Sequence, residues 1–272
     1  MTEISSPPSI SKFEGIASEA TGPASAPAIV FGHSLLFDHR MWAPQVADLS
    51  RDFRCIAIDF KGHGQSDEPR SGMTMLEHAE DYGKVLDHLG IESAVFVGLS
   101  MGGMAAMPFA LAHPSRVRAL VLLDTSAEPE PAAARAKNQA MAVTARLFGI
   151  SDFIMGRVND LMWSKRFQQE RPDLVAEWST RVKALPRRAV YRAVGSVMGR
   201  KGIGPRLADI RSPTLVIVGD EDKATSPATN RHIADTIPGA ELKVLPRTGH
   251  IANLEEPELV TKLIRAFLGK LP

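Results

Sequence analysis

The chain has little of several features that define whole classes of proteins. Its single cysteine, Cys55, excludes an intrachain disulfide and leaves no cysteine spacing suited to a metal. The 32 lysines and arginines nearly balance the 31 aspartates and glutamates, so no excess charge favours nucleic acid or a membrane as partner. No apolar run approaches the roughly 18 residues of a membrane span, and the N-terminus lacks the basic and apolar segments of a signal peptide. We therefore expect a soluble, cytoplasmic protein.

Short apolar runs alternate with stretches of helical periodicity along most of the chain. The apolar runs are residues 28–31, 55–58, 94–97, 119–123, 215–218 and 242–245. Several have apolar residues at successive positions, as strands buried on both faces do. This alternation predicts an α/β fold with a doubly wound, mostly parallel sheet and helices on both faces.

Two segments depart from the alternation. Residues 1–27 are rich in Ser, Pro and Ala, and we expect a lead-in segment with one or two short edge strands near residues 13–17. No strand-like run occurs in residues 125–205, where helical segments are predicted at 132–148, 153–166, 174–184 and 188–198. We therefore predict a core formed by residues 28–124 and 206–272, with 125–205 as a helical cap inserted after the sixth strand.

The most informative motif is Gly98-Leu99-Ser100-Met101-Gly102, which lies between an apolar run and an Ala/Met-rich helical run. This is the G-x-S-x-G pattern of a nucleophile elbow, a tight strand-to-helix turn that exposes the serine hydroxyl above the sheet. The flanking glycines are needed because side chains there would collide with the neighbouring strand and helix. Ser100 is therefore the candidate nucleophile.

A serine hydroxyl needs a base to remove its proton during attack, and two residues downstream are suited to this role. His250 follows the last apolar run, and Asp222 follows the run at 215–218. Loops after parallel strands gather at one edge of the sheet, so these residues are expected to meet Ser100 there. His250 would move the proton, and Asp222 would hold the imidazole in the required tautomer.

The developing oxyanion requires two hydrogen-bond donors. One is expected to be the backbone N–H of Met101, at a helix N-terminus where the helix dipole adds positive potential. The other is expected from the turn after residues 28–31, at Leu35.

Several neighbouring residues offer alternatives. Asp124 ends an earlier strand and is the second candidate for the acid. His33 and His63 lie near the same edge, but their spacing does not indicate a metal, so both are interpreted as structural. The glycine-rich stretch 62–66 lacks the Lys-Ser/Thr ending of a phosphate loop. No cofactor and no metal are expected.

The chain resembles the α/β-hydrolase fold superfamily over nearly all of its length, from about residue 28 to 268. The matching segments are His33-Ser34-Leu35 with Trp42, Asp59-Phe60-Lys61-Gly62-His63-Gly64-Gln65-Ser66, Ser100-Met101-Gly102-Gly103, Gly219–Asp222, and Gly249-His250-Ile251 followed by Leu254-Glu255-Glu256-Pro257. Within the superfamily, the oxyanion and elbow segments look most like 3-oxoadipate enol-lactonase-like esterases and lactonases. The segment before Ala28 is short for the usual pair of leading strands, so fewer than eight strands are expected.

The residues and the resemblance together predict a serine hydrolase that cleaves a carboxylic ester or lactone of a small apolar substrate. Cofactor-free perhydrolysis, as in haloperoxidases, and hydrolysis of a C–C bond beside a ketone use the same triad and remain alternatives. Leu35-Leu36 in the oxyanion turn disfavours the perhydrolase, whose relatives tend to have an aromatic residue followed by Pro. A third hypothesis is a ligand receptor without turnover, disfavoured because every triad residue is present.

Overall fold

The computed structural model, which describes residues 9–271, contains one eight-stranded sheet in the order β1-β2-β4-β3-β5-β6-β7-β8. The strands are β1 (Ser9–Phe13), β2 (Ile16–Thr21), β3 (Ala28–Gly32), β4 (Arg54–Asp59), β5 (Ala94–Leu99), β6 (Val117–Leu123), β7 (Thr214–Gly219) and β8 (Glu241–Leu245). β3 to β8 pair in parallel, whereas the β1–β2 and β2–β4 pairs are antiparallel. The predicted mostly parallel α/β sheet is therefore confirmed.

Helices follow most of the strands. They are α1 (Ala43–Leu49), α2 (Met75–His88), α3 (Met101–Ala112), α4 (Ala132–Phe148), α5 (Asp152–Met162), α6 (Lys165–Glu170), α7 (Pro172–Ala184), α8 (Arg187–Met198), α9 (Pro227–Thr236), α10 (Ala252–Glu255) and α11 (Pro257–Leu268). Successive strand residues face opposite sides, so Val95 and Val97 of β5 join one apolar cluster and Phe96 joins the other. The sheet thus lies between two buried layers, and its carboxyl edge receives the loops that carry the candidate site.

The expectation of fewer than eight strands is wrong. Residues 9–21 form a complete hairpin because β1 and β2 are joined by only two residues, Glu14 and Gly15, with φ angles of 48° and 78°. Two successive positive φ angles are typical of the tight turns whose twist matches that of the flanking strands. A short segment therefore supplies both leading strands, and β2 continues the sheet by pairing with β4.

The stretch between β6 and β7 contains five helices, α4 to α8, and no strand. This agrees with the expected helical content of residues 125–205; that the stretch forms a separate cap unit stays a prediction. The predicted helix at 153–166 is interrupted, because α5 ends at Met162 and Ser164 caps the start of α6 by accepting the Phe167 N–H. Serine at this position competes with the helix backbone and favours a new helix start.

No helix within residues 9–271 combines the length and the apolar character needed to cross a membrane. Cys55 is buried in β4, and burial raises the pKa of its thiol to about 12, which fits the expected role as a small core residue.

Two buried histidines, His63 and His78, lead to a prediction about stability in acid. Burial, followed by the neighbouring His33, lowers the pKa of His78 to about 4, and burial likewise holds the pKa of His63 well below its usual value. The unfolded chain therefore takes up protons first as the pH falls below about 6.5, the usual histidine value. Stability is expected to be full above that pH and to decline towards pH 4.

Urea unfolding at a series of pH values tests this prediction. Over this range His78 alone is expected to contribute a loss of about 3 kcal/mol, from about 1.4 kcal/mol per pKa unit, and His78→Leu should remove that part of the slope. His88→Gln, at an exposed position on the same helix, is the control and should leave the slope unchanged. An unchanged slope in His78→Leu would contradict the prediction.

Candidate active site

Ser100 occupies the sharp turn between β5 and α3. Its φ and ψ angles are 52° and −110°, a sparsely populated combination for a residue with a side chain. The surrounding structure holds this conformation: the Ser100 N–H donates to the Leu123 carbonyl at 2.9 Å, and the Thr125 hydroxyl donates to the Ser100 carbonyl at 2.7 Å. The strained turn is therefore fixed by bonds to β6 and to the residues that follow it.

The two glycines of the motif are required by close packing on either side of Ser100. A Cβ atom on Gly98 would lie 2.5 Å from the Gly103 nitrogen of α3, and one on Gly102 would lie 2.1 Å from the Gly32 carbonyl oxygen of β3. Both distances are far below van der Waals contact, and the opposing atoms are backbone. The predicted collisions with helix and strand are confirmed.

His250 and Asp222 are in direct contact. The His250 Nδ1 atom lies 3.0 Å from both carboxylate oxygens of Asp222, and both side chains are buried. Because the carboxylate only accepts, Nδ1 is the protonated nitrogen and donates to it. The pairing leaves Nε2 as the nitrogen able to accept a proton.

Three further donors hold the Asp222 carboxylate. The N–H groups of Ala224 and Thr225 donate to Oδ1 at 2.8 and 3.0 Å, and the Thr225 hydroxyl donates to Oδ2 at 2.8 Å. Burial acts to raise the pKa of Asp222, but its electrostatic interaction with His250 and the hydrogen bonds from His250 and Thr225 lower it below its usual value. Asp222 is therefore held as a carboxylate. Sequence reasoning missed Thr225, which no pattern in the sequence marks.

Asp124, the alternative acid, has a different environment. Its Oδ1 accepts the N–H of Gly219 at 2.9 Å, while Oδ2 is buried and has no hydrogen-bond partner within residues 9–271. Burial and then the negative charge of Asp222 raise the pKa of Asp124 well above its usual value. Asp124 therefore anchors the end of β7, at the start of the Asp222 loop, and it makes no hydrogen bond to His250 in the described chain.

The two expected oxyanion donors lie at the same edge. The Met101 N–H belongs to the first turn of α3, where an α-helix leaves its amides without intrahelical acceptors. Leu35 lies in a turn closed by the Phe37 N–H and the Ser34 carbonyl at 3.1 Å, with Leu36 at a φ of 68°. Leu35 lines the same cavity as Ser100 and His250.

That cavity has a volume of about 400 Å³ and lies between the sheet edge and α4, α5 and α8. Its buried wall is apolar apart from Ser100, Thr225 and His250, and is formed by Met104, Ala142, Ala145, Ile154, Val158, Met162, Val190, Val197 and Met198. Of the acidic and basic lining residues, Lys137, Arg157, Asp160 and Lys223 are exposed, and Glu130 is half-buried. Apolar surface thus surrounds Ser100, and charge is confined to the rim.

The remaining histidines near the edge have structural contacts. His33 donates from Nδ1 to the Ser34 carbonyl at 2.8 Å and accepts the Phe60 N–H at Nε2, 2.9 Å away. His63 packs against His33 with ring centroids 4.8 Å apart.

A separate buried group brings possible metal-ligating atoms together within 4.8 Å, namely those of Asp38, His39 and Asp59. These atoms are already engaged, since His39 Nδ1 lies 2.9 Å from Asp59 and Asp38 accepts from Arg40. We therefore interpret this group as a hydrogen-bonded cluster that supports the chain after β4.

Comparison with known proteins places this chain in a family. The family model described as the alpha/beta hydrolase fold matches residues 27–257, so the chain belongs to the α/β-hydrolase fold family. The resemblance drawn from the sequence motifs is confirmed.

The similar proteins include lactonases and esterases. A 3-oxoadipate enol-lactonase of Acinetobacter baylyi is 31% identical over 254 residues, which span 92% of this chain and 91% of that protein. The crystal structure of an enol-lactonase from Burkholderia xenovorans is 29% identical, with a TM-score of 0.88 and coverage of 96% of this chain and 100% of that one. A thermophilic esterase from Thermogutta terrifontis is 28% identical, with a TM-score of 0.89 and coverage of 98% and 99%.

Proposed function

We propose that this protein is a serine hydrolase that cleaves a carboxylic ester or lactone of a small apolar substrate through an acyl-enzyme intermediate. The observation that carries the proposal is the buried His250–Asp222 pair beside a cavity that Ser100 also lines. The strained turn at Ser100 and the similarity to esterases and lactonases support it.

In the acylation step, Ser100 Oγ attacks the carbonyl carbon while His250 Nε2 takes the hydroxyl proton. Negative charge develops on the carbonyl oxygen, where the N–H groups of Met101 and Leu35 stabilise it. Collapse of the intermediate breaks the C–O bond, and His250 returns the proton to the leaving alkoxide. In a lactone, the alcohol formed by ring opening stays attached to the acyl group.

Water completes the reaction in a second cycle with the same groups. His250 removes a proton from water as the water oxygen attacks the acyl carbon. It then protonates Ser100 Oγ as the bond between Oγ and the acyl carbon breaks. Asp222 stabilises the imidazolium that forms in each half of the cycle. The products are a carboxylic acid and an alcohol, or a hydroxy acid from a lactone.

The distribution of charge in the cavity predicts the preferred acyl group. An apolar chain gains free energy by leaving water for the buried wall, whereas a carboxylate placed there loses hydration without a buried cationic partner. We expect kcat/KM for p-nitrophenyl pentanoate to exceed that for p-nitrophenyl hemisuccinate, whose acyl group is similar in length, by roughly 10- to 100-fold, or 1.4 to 2.8 kcal/mol.

Assays of the purified protein with this matched pair test the proposal. Turnover of the pentanoate with weak turnover of the hemisuccinate supports an apolar acyl site. Equal or faster turnover of the hemisuccinate would show that the rim cations receive a substrate carboxylate. Formation of peracid from acetate and hydrogen peroxide, without ester turnover, would contradict the hydrolase and favour the perhydrolase.

A further inference from the structure

The loop that carries His250 is held against the junction between α5 and α6. The carbonyl of Met162, the last residue of α5, accepts the N–H of His250 at 3.0 Å and the N–H of Ile251 at 3.2 Å. The segment between β6 and β7 therefore fixes the backbone of His250 directly.

Glu255, at the end of α10, adds a second connection through a buried carboxylate that is only 6% exposed. Its Oε1 accepts the Ser164 N–H at 2.8 Å, and its Oε2 accepts the Ser164 hydroxyl at 2.6 Å. The same Oε2 accepts the N–H of Gly249 at 3.1 Å. One side chain thus joins the residue before His250 to Ser164, the residue that caps the start of α6.

The His250 loop, the α5–α6 junction and the end of α10 are closely packed around Gly249. A Cβ atom on Gly249 would lie 2.5 Å from the Ser164 nitrogen, 2.8 Å from the Trp163 carbonyl carbon and 2.7 Å from Glu255 Oε1. A displacement of the junction is therefore transmitted to the residue preceding His250.

Burial of the Glu255 carboxylate costs free energy of hydration, so stability alone does not explain its presence. Burial raises the pKa of Glu255, while the hydrogen bonds from Ser164 and Gly249 and the charge of Arg166 act to lower it. The buried Asp124 is within electrostatic range of the same carboxyl group. Buried ionic groups of this kind add little net stability, and their best-supported contribution is a fixed geometry.

We propose that Glu255 is a positioning residue that fixes the His250 loop against the α5–α6 junction and so keeps the imidazole in line with Ser100. This inference rests on the proposed function, because it assigns Glu255 a role only if His250 acts as the base. A misplacement of about 1 Å at a reacting group can lower the rate by about 10²-fold.

The test compares Glu255→Gln with Glu256→Gln, two adjacent substitutions of the same kind. Glu256 forms an ion pair with Arg166 of α6 but makes no contact with Gly249 among the hydrogen bonds of the described chain. We measure kcat and KM for p-nitrophenyl pentanoate and the rate at which a fluorophosphonate labels Ser100.

Glu255→Gln is expected to lower kcat and the labelling rate by about 10- to 100-fold while KM changes by less than about threefold. For Glu256→Gln, we expect kcat, KM and the labelling rate all to stay within about twofold of the wild type. A purely structural role would lower the melting temperature and leave kcat of the folded fraction unchanged. Gly249→Ala, which pushes the same segments apart, should reproduce the loss of kcat.

The outcomes separate the two proposals. A wild-type protein that is not labelled at Ser100 overturns the proposed function. If Ser100 is labelled at the same rate in the wild type and in Glu255→Gln, the positioning role is overturned and the proposed function stands. If Glu255→Gln does not fold, Ser164→Ala takes its place with a smaller expected loss of kcat. This substitution keeps the Ser164 N–H bond to Glu255 but removes the 2.6 Å hydroxyl bond, together with the cap on the Phe167 N–H. An unchanged kcat in that variant overturns the positioning role.

Discussion

Ser100→Ala is expected to lower kcat for p-nitrophenyl pentanoate by about 10⁴- to 10⁶-fold. The substitution removes the attacking oxygen and leaves the Met101 and Leu35 amides, the cavity and the His250–Asp222 pair in place. The residual rate would come from water attacking a substrate held beside these groups. Progress curves at high enzyme concentration measure it.

Ser196→Ala is the matched control for this prediction. Ser196 is as buried as Ser100, with exposed fractions of 5% and 6%, and its hydroxyl has no hydrogen-bond partner within residues 9–271. Its substitution should change kcat by less than about twofold. Full activity in Ser100→Ala would show that Ser100 is not the nucleophile.

Asp222→Asn is expected to lower kcat by about 10⁴-fold without loss of the fold. An asparagine amide donates to His250 Nδ1, which moves the ring proton to Nε2 and prevents that nitrogen from accepting the Ser100 proton. It also removes the negative charge that stabilises the imidazolium. Steady-state kinetics and circular dichroism of the variant give the two measurements required.

Asp124→Asn discriminates between the two candidate acids. Asparagine keeps an oxygen for the Gly219 N–H, and its neutral amide replaces a carboxyl group whose charged form is disfavoured by burial and by the charge of Asp222. We expect kcat to stay within about tenfold of the wild type. A loss as large as that of Asp222→Asn would assign the acid to Asp124.

The parts of the fold that sequence reasoning predicted are those with a local signal. Buried strands with continuous apolar runs, such as β5 and β7, and the strand-to-helix turn at Ser100 follow from residue types alone. The sequence did not predict the full extent of the β1–β2 hairpin. Its strands contain mostly Ser, Ala, Lys and Glu, and its two-residue turn at Glu14-Gly15 lacks the usual Asn-Gly or Asp-Gly signal.

Helical periodicity also failed to tell which apolar residues are buried. Phe148 and Phe153 are large apolar residues of α4 and α5, yet they are 79% and 72% exposed at the turn between the two helices. Periodicity identifies a face of a helix, but burial depends on which neighbouring element covers that face. For the same reason, periodicity did not predict which helix residues line the cavity.

The candidate site was predictable where chain order and strand ends determine it. Ser100, Asp222 and His250 each follow a strand of the parallel sheet, so topology alone brings them to one edge. Thr225 and Glu255 were not found because their contacts depend on loop conformation. Glu255 lies in a segment that matched the family, but only the structure shows its bonds to Ser164 and Gly249.

The most direct test of the central claim is intact-mass analysis after incubation with a fluorophosphonate, followed by peptide mapping. An activated serine attacks phosphorus and expels fluoride, which leaves one phosphonyl group on Oγ. We predict a single adduct on Ser100 in the wild type and none in His250→Ala at the same exposure. Folded wild-type protein without an adduct, or an adduct that persists in His250→Ala, would contradict a serine activated by His250.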